Sequence, residues 1–354
     1  MNLSINKKKY YLTAGFKMQY SSLVGNLQSI PDGSISKNYS RILPALFGEY
    51  QFGIAHHLNL DYQTSLQEPS IEQLQPAVNN TDPLNIYMGN PELNPEYIHE
   101  LNASYFLYDQ FNFTSVFANL GGGYTQDRIT DLVQIDSAFR RIIQPENVPY
   151  ERSLRAGIDF NTPIRPLKIN TRIKLGSGIS NGILFINDEK NQVNRFRYNV
   201  NLSIENRNKD VFDGIIGWKI SDIKTSYSVS TLNNQKYSET GLYADLTLIP
   251  IKNLTLKSNF EFRTYTSTLF NEKITIPLWE LSVSHFFLKD NKLKLQLKVF
   301  DLLNENKGIR RTSQLNYVEE QRSNVLGRYA MIQIGYSIRG FSAKKNGIEI
   351  KIDR

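Results

Sequence analysis

The chain has 354 residues, of which 41 are Lys or Arg and 34 are Asp or Glu, so its formal net charge is +7. It contains no cysteine, which excludes disulfide scaffolds, thiolate metal sites and cysteine nucleophiles. Its 40% apolar and 12% aromatic content is too high for a disordered chain. A mean hydropathy of −0.40, with no apolar run near the roughly 18 residues that a spanning helix needs, excludes a helical membrane protein.

The N-terminal segment has no features of a signal peptide. Residues 1–9 are polar and basic, and residues 10–20 alternate in polarity instead of forming a continuous apolar stretch. The sequence therefore predicts either a cytosolic protein or a piece whose original N-terminus lies upstream.

From residue 10 onward, apolar and polar residues alternate in one segment after another. A period of two indicates a β-strand with one apolar and one polar face. The pattern occurs in residues 10–20, 58–66, 154–160, 168–175, 196–205, 242–248, 254–263, 293–299 and 330–338. No helical pattern of comparable length interrupts them, so we predict an all-β chain.

The connections between these strands alternate between short and long. The short links are residues 53–56, 108–110, 162–166, 206–210, 250–253 and 289–292. The long links are residues 21–38, 67–97, 126–149, 176–194, 228–236, 266–273 and 302–326. This alternation predicts an antiparallel up-and-down meander of about 14 strands, with tight turns at one end and long external loops at the other.

Three features favour a transmembrane β-barrel over a soluble sheet. Several strands approach the roughly 9–11 residues that cross a bilayer when tilted. Aromatic residues such as Tyr10, Tyr20 and Phe196 lie at strand ends, as in the interfacial belts of membrane barrels. Every second link is tight, unlike the mixed links of a sandwich. Because open sheet edges are not stable in lipid, the meander is expected to close. We therefore predict a barrel over residues 1–341 and a C-terminal tail over residues 342–354.

A proline-rich stretch near the start of the chain resembles a known family. Residues 69–76 read PSIEQLQP, and residues 89–96 read GNPELNPE immediately before a strand. This is similar to the barrel of TonB-dependent outer-membrane receptors, especially the barrel family common in Bacteroidota, although Glu68 stands where that family usually has Arg. The matching motif positions, expected in an ordered external loop, are Gly89, Asn90, Pro91, Leu93, Pro95 and Glu96.

The resemblance implies active uptake of a scarce solute, such as a siderophore, glycan or peptide, across the outer membrane of a Gram-negative bacterium. Members of this class have an N-terminal plug inside a barrel of about 22 strands. The plug, the TonB-contacting segment and the first strands are missing from this chain, so it is expected to be the C-terminal part of such a barrel. The implied partners are outer-membrane lipid and lipopolysaccharide, a small solute, the missing plug domain and the TonB complex.

Basic residues are frequent on the polar parity of the predicted strands, which lines the lumen of a barrel. The candidate lumen-lining residues are Lys17, Arg155, Lys168, Arg172, Lys174, Arg197, Lys257 and Arg263, with Lys294 and Lys298 near the end of the chain. One interpretation is a solvated lumen partly neutralised by Asp61, Asp159, Glu205 and Glu261, or in contact with an acidic plug. The other is electrostatic steering of anionic solutes.

No set of residues indicates catalysis. Carboxylates are scattered and no nucleophile elbow is present, so we predict no enzymatic activity. The histidines His56, His57, His99 and His285 are interpreted as turn, interfacial or lumen residues, and no metal or cofactor is expected. The basic clusters at residues 7–9 and 344–345 are too small to predict nucleic-acid binding.

Two other functional classes remain open from the sequence. The first is a self-sufficient passive pore or fatty-acid-type channel of about 14 strands. The second is a structural or adhesive barrel that presents its loops.

Overall fold

A computed structural model describes residues 1–26, 34–137, 140–186, 189–229, 234–268, 272–313 and 318–338. Within these ranges the chain is mostly strand with very little helix, which confirms the predicted all-β class. The first strands are β1 (Asn2–Asn6), β2 (Tyr10–Asn26), β3 (Ser34–Gly53), β4 (His56–Gln67), β5 (Val78–Asp82), β6 (Asn85–Met88), β7 (Glu96–Asp109), β8 (Thr114–Ile135), β9 (Arg141–Ile164) and β10 (Ile169–Ile186). The later ones are β11 (Glu189–Asn206), β12 (Phe212–Tyr227), β13 (Gln235–Leu248), β14 (Leu254–Ser267), β15 (Ile274–Phe287), β16 (Leu293–Phe300), β17 (Ile309–Ser313), β18 (Val318–Arg322) and β19 (Tyr329–Tyr336).

Helical structure in the described ranges is short. It consists of α1 (Ile71–Leu74) and single 3₁₀ turns at Arg165–Leu167 and Lys289–Asn291. None of these helices is long and apolar enough to cross a membrane. The predicted tail, residues 342–354, lies outside the described residues.

The strands form an antiparallel meander in which each long strand pairs with the next one along the chain. The meander consists of fourteen strands, β2–β4, β7–β16 and β19, in agreement with the predicted number. The short β1 pairs with β2. Two hairpins stand within connections: β5–β6, whose second strand runs parallel to β9, and β17–β18.

The predicted alternation of short and long connections is confirmed, but the long connections are different in kind. In two of them, residues 126–149 and 176–194, most residues continue the two flanking strands as one long hairpin. The pair β8–β9 reaches Ile135 opposite Arg141, and β10–β11 reaches Ile186 opposite Glu189. Outside a lipid belt neither face of a hairpin has to be uniformly apolar, so the backbone ladder continues where the period-two pattern is lost. The prediction of a long loop was therefore wrong for residues 126–149 and 176–194, which are strand for most of their length.

The register keeps the two faces of the meander separate across neighbouring strands. Leu154 and Ile158 of β9 pair with Ile179 and Leu175 of β10, and all four side chains are 43–52% exposed on the apolar face. The residues between them, including Arg155, lie on the opposite face. Because both faces are exposed, the middle of the sheet has no conventional core between packed layers. An apolar exposed face and a polar exposed face are what a membrane barrel requires.

Buried apolar clusters occur instead at the end with the long hairpins. One cluster contains Ile35, Leu74 and Leu93. A second contains Tyr237, Tyr265, Ile274 and Ile276. A third contains Leu184, Val193 and Tyr227. These clusters pack the hairpins against one another in the region where no lipid is expected to cover them.

The separation of faces predicts opposite effects of a charge at adjacent positions of β16. Leu297 is 46% exposed on the apolar face, and Gln296 lies on the polar face opposite Ser284 and Gln333. In lipid vesicles, we expect Leu297→Arg to lower the free energy of unfolding by about 2–4 kcal/mol, the cost of Arg near the bilayer midplane. Urea unfolding followed by heat-modifiable mobility in SDS measures this.

Gln296→Arg is the matched control for that measurement. Its charge would enter the polar face, so the change in unfolding free energy should stay below about 1 kcal/mol. Equal destabilisation by the two substitutions would contradict the assignment of the faces.

Candidate functional site

The motif predicted to lie in an external loop is an ordered segment at the long-hairpin end of the sheet. It begins beside α1, where the Ser70 side chain accepts a hydrogen bond from the Gln73 backbone and the Gln73 side chain accepts one from the Ser70 backbone. This capping box fixes the first turn of the short helix. The motif then runs from Gly89 to the first residue of β7, Glu96.

Gly89 is required by the close approach of two backbone segments. A Cβ at this position would lie 2.3 Å from the carbonyl oxygen of Gln75 and 2.7 Å from that of Glu72. The next residue, Asn90, donates its backbone N–H to the Gln73 carbonyl over 2.6 Å. The motif is therefore attached directly to α1 and to the residue that follows it.

Asn90 and Leu93 hold the motif against the rest of the loop region. The Asn90 side chain donates to the carbonyl of Pro145 on β9 over 3.1 Å, and its oxygen accepts from the Glu92 backbone over 2.9 Å. Leu93 is only 2% exposed and packs with Leu74 and Ile35. Pro91 lies between these two anchors, and Pro95 directly precedes β7.

Glu96 completes the motif as a buried carboxylate with three hydrogen bonds. It is 2% exposed and accepts from Arg128 Nη1 over 2.7 and 2.9 Å and from the Ile129 backbone over 2.8 Å. Arg128 also donates its Nε to Glu151 over 2.9 Å. The motif is thus a structural clamp that joins the loop after β4 to β8 and β9. We name residues 89–96 with Arg128 and Glu151 the loop clamp.

A polar hollow of about 360 Å³ lies beside the loop clamp and is lined by Gln67, Glu68, Gln73, Glu96 and residues 128–131. Glu68, which stands where the resembling family has Arg, accepts hydrogen bonds from Gln19 over 2.8 Å and from Ser21 over 2.6 Å. Glu68 therefore ties β2 to the loop after β4. In the same hollow, burial raises the pKa of the Asp131 carboxyl, although Arg141 and Arg128 act in the opposite direction.

The predicted lumen-lining basic residues fall on the polar face of the sheet, with one exception. Lys17 lies on β2, Arg155 on β9, Arg172 and Lys174 on β10, Arg197 on β11, and Lys257 and Arg263 on β14. Lys168 is placed differently from its prediction. It follows the 3₁₀ turn before β10 with a positive φ of 53° and belongs to the tight-turn end.

Ion pairs neutralise part of this face. Asp159 contacts Arg172 at 2.5 Å and Lys174 at 3.4 Å. On the wall formed by β12–β14, Lys219 contacts Glu261 at 2.8 Å and Glu239 at 4.0 Å, and Arg263 also pairs with Glu261. Further along, Lys298 contacts Glu280 at 2.8 Å. Of the four carboxylates predicted to neutralise this face, Asp159 and Glu261 form such pairs, whereas Glu205 pairs with Lys209 beside a tight turn and Asp61 forms no ion pair within the described residues.

The histidines are dispersed. His56 hydrogen-bonds with the Tyr105 hydroxyl, and His99 Nδ1 lies 2.9 Å from the Tyr62 hydroxyl, within a row of aromatic rings that includes Tyr97 and Tyr124. Over the part of the chain that the structure describes, no group of three or more His, Asp or Glu side chains could hold a metal ion.

The loop clamp predicts a specific effect of removing one charge. Glu96→Gln should lower the unfolding free energy by about 2 kcal/mol, the scale of a hydrogen bond to a charged group. Urea unfolding of the detergent-folded protein measures the change. Glu92→Gln, an exposed position of the same motif, is the control and should be within about 0.5 kcal/mol of the unmodified chain. Equal effects of the two substitutions would refute the clamp.

The close backbone approach at Gly89 gives a second prediction. Gly89→Ala places a Cβ against the Gln75 carbonyl and should displace the motif, so residues 75–96 become several-fold more sensitive to protease. Limited proteolysis with mass spectrometry measures the rate. Gly122→Ala, where an added Cβ has no atom within 4 Å, is the control. Unchanged cleavage in Gly89→Ala would show that the contact is unimportant.

Comparison with known proteins identifies the family. Three solved structures are similar to the chain at low identity and low TM-score. The Pseudomonas putida toluene transporter TodX has 7% identity over 94% of this chain and 90% of its own, with a TM-score of 0.28. The outer membrane protein OmpT of Vibrio cholerae has 8% identity over 92% of this chain and 98% of its own, with a TM-score of 0.33, and the Ralstonia pickettii toluene transporter TbuX has 9% identity over 94% and 89%, with a TM-score of 0.28. No curated protein matches the sequence. Residues 1–336, however, match the outer membrane protein beta-barrel family. The chain belongs to this family and is an outer-membrane β-barrel protein.

Proposed function

We propose that the chain forms the wall of a solute-uptake barrel of the TonB-dependent class. The observation that carries the transport function is the polar face of the fourteen-strand meander, on which charged and amide side chains continue from strand to strand. Once the sheet closes, such a face encloses a hydrophilic path across the membrane. The apolar face supplies the contact with outer-membrane lipid and lipopolysaccharide.

The TonB-dependent part of the proposal is supported by the segment from Gly89 to Glu96. This segment resembles the receptor motif in sequence, and in the structure it fixes the loop after β4 to β8 and β9. In that receptor class a plug fills the lumen of the barrel. The plug would be supplied by the same polypeptide or by a separate one, and further strands would complete a wall of about 22.

The conductance of the native preparation tests this proposal without knowledge of the solute. The chain is purified in mild detergent from its own outer membrane and inserted into planar bilayers. We expect a plug-bearing polypeptide in the preparation and no steady conductance, because the plug fills the lumen. Treatment with urea should then open a stable ion-conducting path.

The alternative of a passive pore predicts a different outcome of the same experiment. A chain that conducts steadily before urea treatment, with no plug polypeptide in the preparation, would contradict the proposal and favour the self-sufficient channel. A preparation that never conducts, even after urea treatment, would favour a structural or adhesive barrel.

A further inference from the structure

The polar face carries a groove with an unusual arrangement of glycines and cations on β8–β11. The groove has a volume of about 580 Å³, which is within the range of small-molecule sites. Its lining contains the cations Arg155, Lys174, Arg195 and Arg197 but only one carboxylate, Asp159. The wall of β12–β14 differs, since there two cations and two carboxylates compensate each other.

The register explains how the groove is formed. Across β8–β11, one row of paired residues reads Gly121, Arg155, Gly178 and Arg197, so an arginine stands on each side of Gly178. The adjacent row reads Asn119, Gly157, Gly176 and Asn199. In the first row arginines alternate with glycines, and in the second row two adjacent glycines lie between two asparagines, so the glycines form the floor.

The floor has open space at its centre. A Cβ added at Gly178 would meet only the Leu154 carbonyl oxygen, at 3.6 Å. At Gly121, by contrast, an added Cβ would lie 2.5 Å from Arg155 Nε, so this glycine lets the arginine lie along the wall. Arg155 donates Nη2 to Asn102 on β7 over 2.8 Å, so its guanidinium lies over β8 in this structure, and rotation about its side-chain bonds is what would bring it to the space above Gly178.

The two arginines beside Gly178 keep their charge available. Asp159, the one carboxylate of the groove, is already paired with Arg172 and Lys174. Neither Arg155 nor Arg197 forms an ion pair with any carboxylate among the residues that the structure describes. Neighbouring strands lie about 4.8 Å apart, so two arginines separated by one strand stand roughly 10 Å apart at the backbone. The planar guanidinium group of each arginine can form two parallel hydrogen bonds with carboxylate or phosphate oxygens.

We infer that the groove between Arg155 and Arg197 binds a small multivalent oxyanion, such as a polycarboxylate or a phosphate-bearing solute. This rests on the proposed function only in taking the polar face as the lining of a solute path. Gly178 provides the space, and the arginines on either side provide the charge and the hydrogen-bond donors. The sequence analysis raised electrostatic steering of anionic solutes for the whole polar face, and this inference locates anion binding at one groove on that face.

Binding of citrate and pyrophosphate to the purified chain, folded in detergent and free of plug, tests this assignment by calorimetry. The double variant Arg155→Gln/Arg197→Gln should weaken binding at least tenfold, and higher salt should weaken it further. Gly178→Val, which leaves every charge in place and fills the floor, should also weaken it at least tenfold. Heat-modifiable mobility confirms that each variant has folded.

The matched control removes the same charge elsewhere on the polar face. Lys17→Gln/Lys257→Gln takes away two cations that form no ion pair within the described residues, and should change the affinity by less than about twofold. No binding of either anion to the unmodified chain would overturn the inference, as would equal losses in the two double variants. Because this measurement needs neither plug nor TonB, it can fail while the proposed uptake function holds, and the converse is also true.

Discussion

The requirement that backbone N–H and C=O groups be paired inside lipid governs the whole structure. In a bilayer an unpaired group has no water to replace its partner, so each strand must form hydrogen bonds along its length with neighbours on both sides. In the antiparallel meander, each strand between the two end strands β2 and β19 is paired on both sides by this consecutive arrangement. Once the register is set, a period of two places each side chain of the lipid-crossing part of a strand on the apolar face or on the polar face. The negative mean hydropathy follows, because only one face of each strand has to be apolar.

The same requirement explains which parts of the fold could be predicted from the sequence. Where a strand has lipid on one side and water on the other, its sequence alternates, and the fourteen long strands and their tight turns were predictable. The extended hairpins of β8–β9 and β10–β11 lie beyond the lipid and bury residues such as Leu184 and Val193 against neighbouring strands, so neither of their faces is uniformly apolar and the period-two pattern is lost there. Lys168 was misplaced because a period-two pattern does not show where a strand begins, and its left-handed backbone belongs to the turn.

The functional residues were predictable in kind but not in arrangement. The motif from Gly89 to Glu96 was recognisable as a sequence segment, yet its role as a clamp depends on contacts with Gln75, Pro145 and Arg128, which lie on other elements. Parity placed Arg155 and Arg197 on the polar face. Only the register shows that they lie on either side of Gly178, because that juxtaposition depends on how three strands are aligned.

The central claim is that the sheet has one face toward lipid and one toward water, and β11 offers the most direct test. Because the chain has no native cysteine, single cysteines can be placed at residues 196–205 and labelled with a nitroxide in lipid vesicles. Phe196, Leu202 and Ile204 should then be accessible to dissolved oxygen, and Arg197, Asn199 and Asn201 to a water-soluble paramagnetic reagent. Alternation with a period of two and opposite phase for the two reagents is the predicted result. Equal access of the water-soluble reagent to both parities would contradict the account.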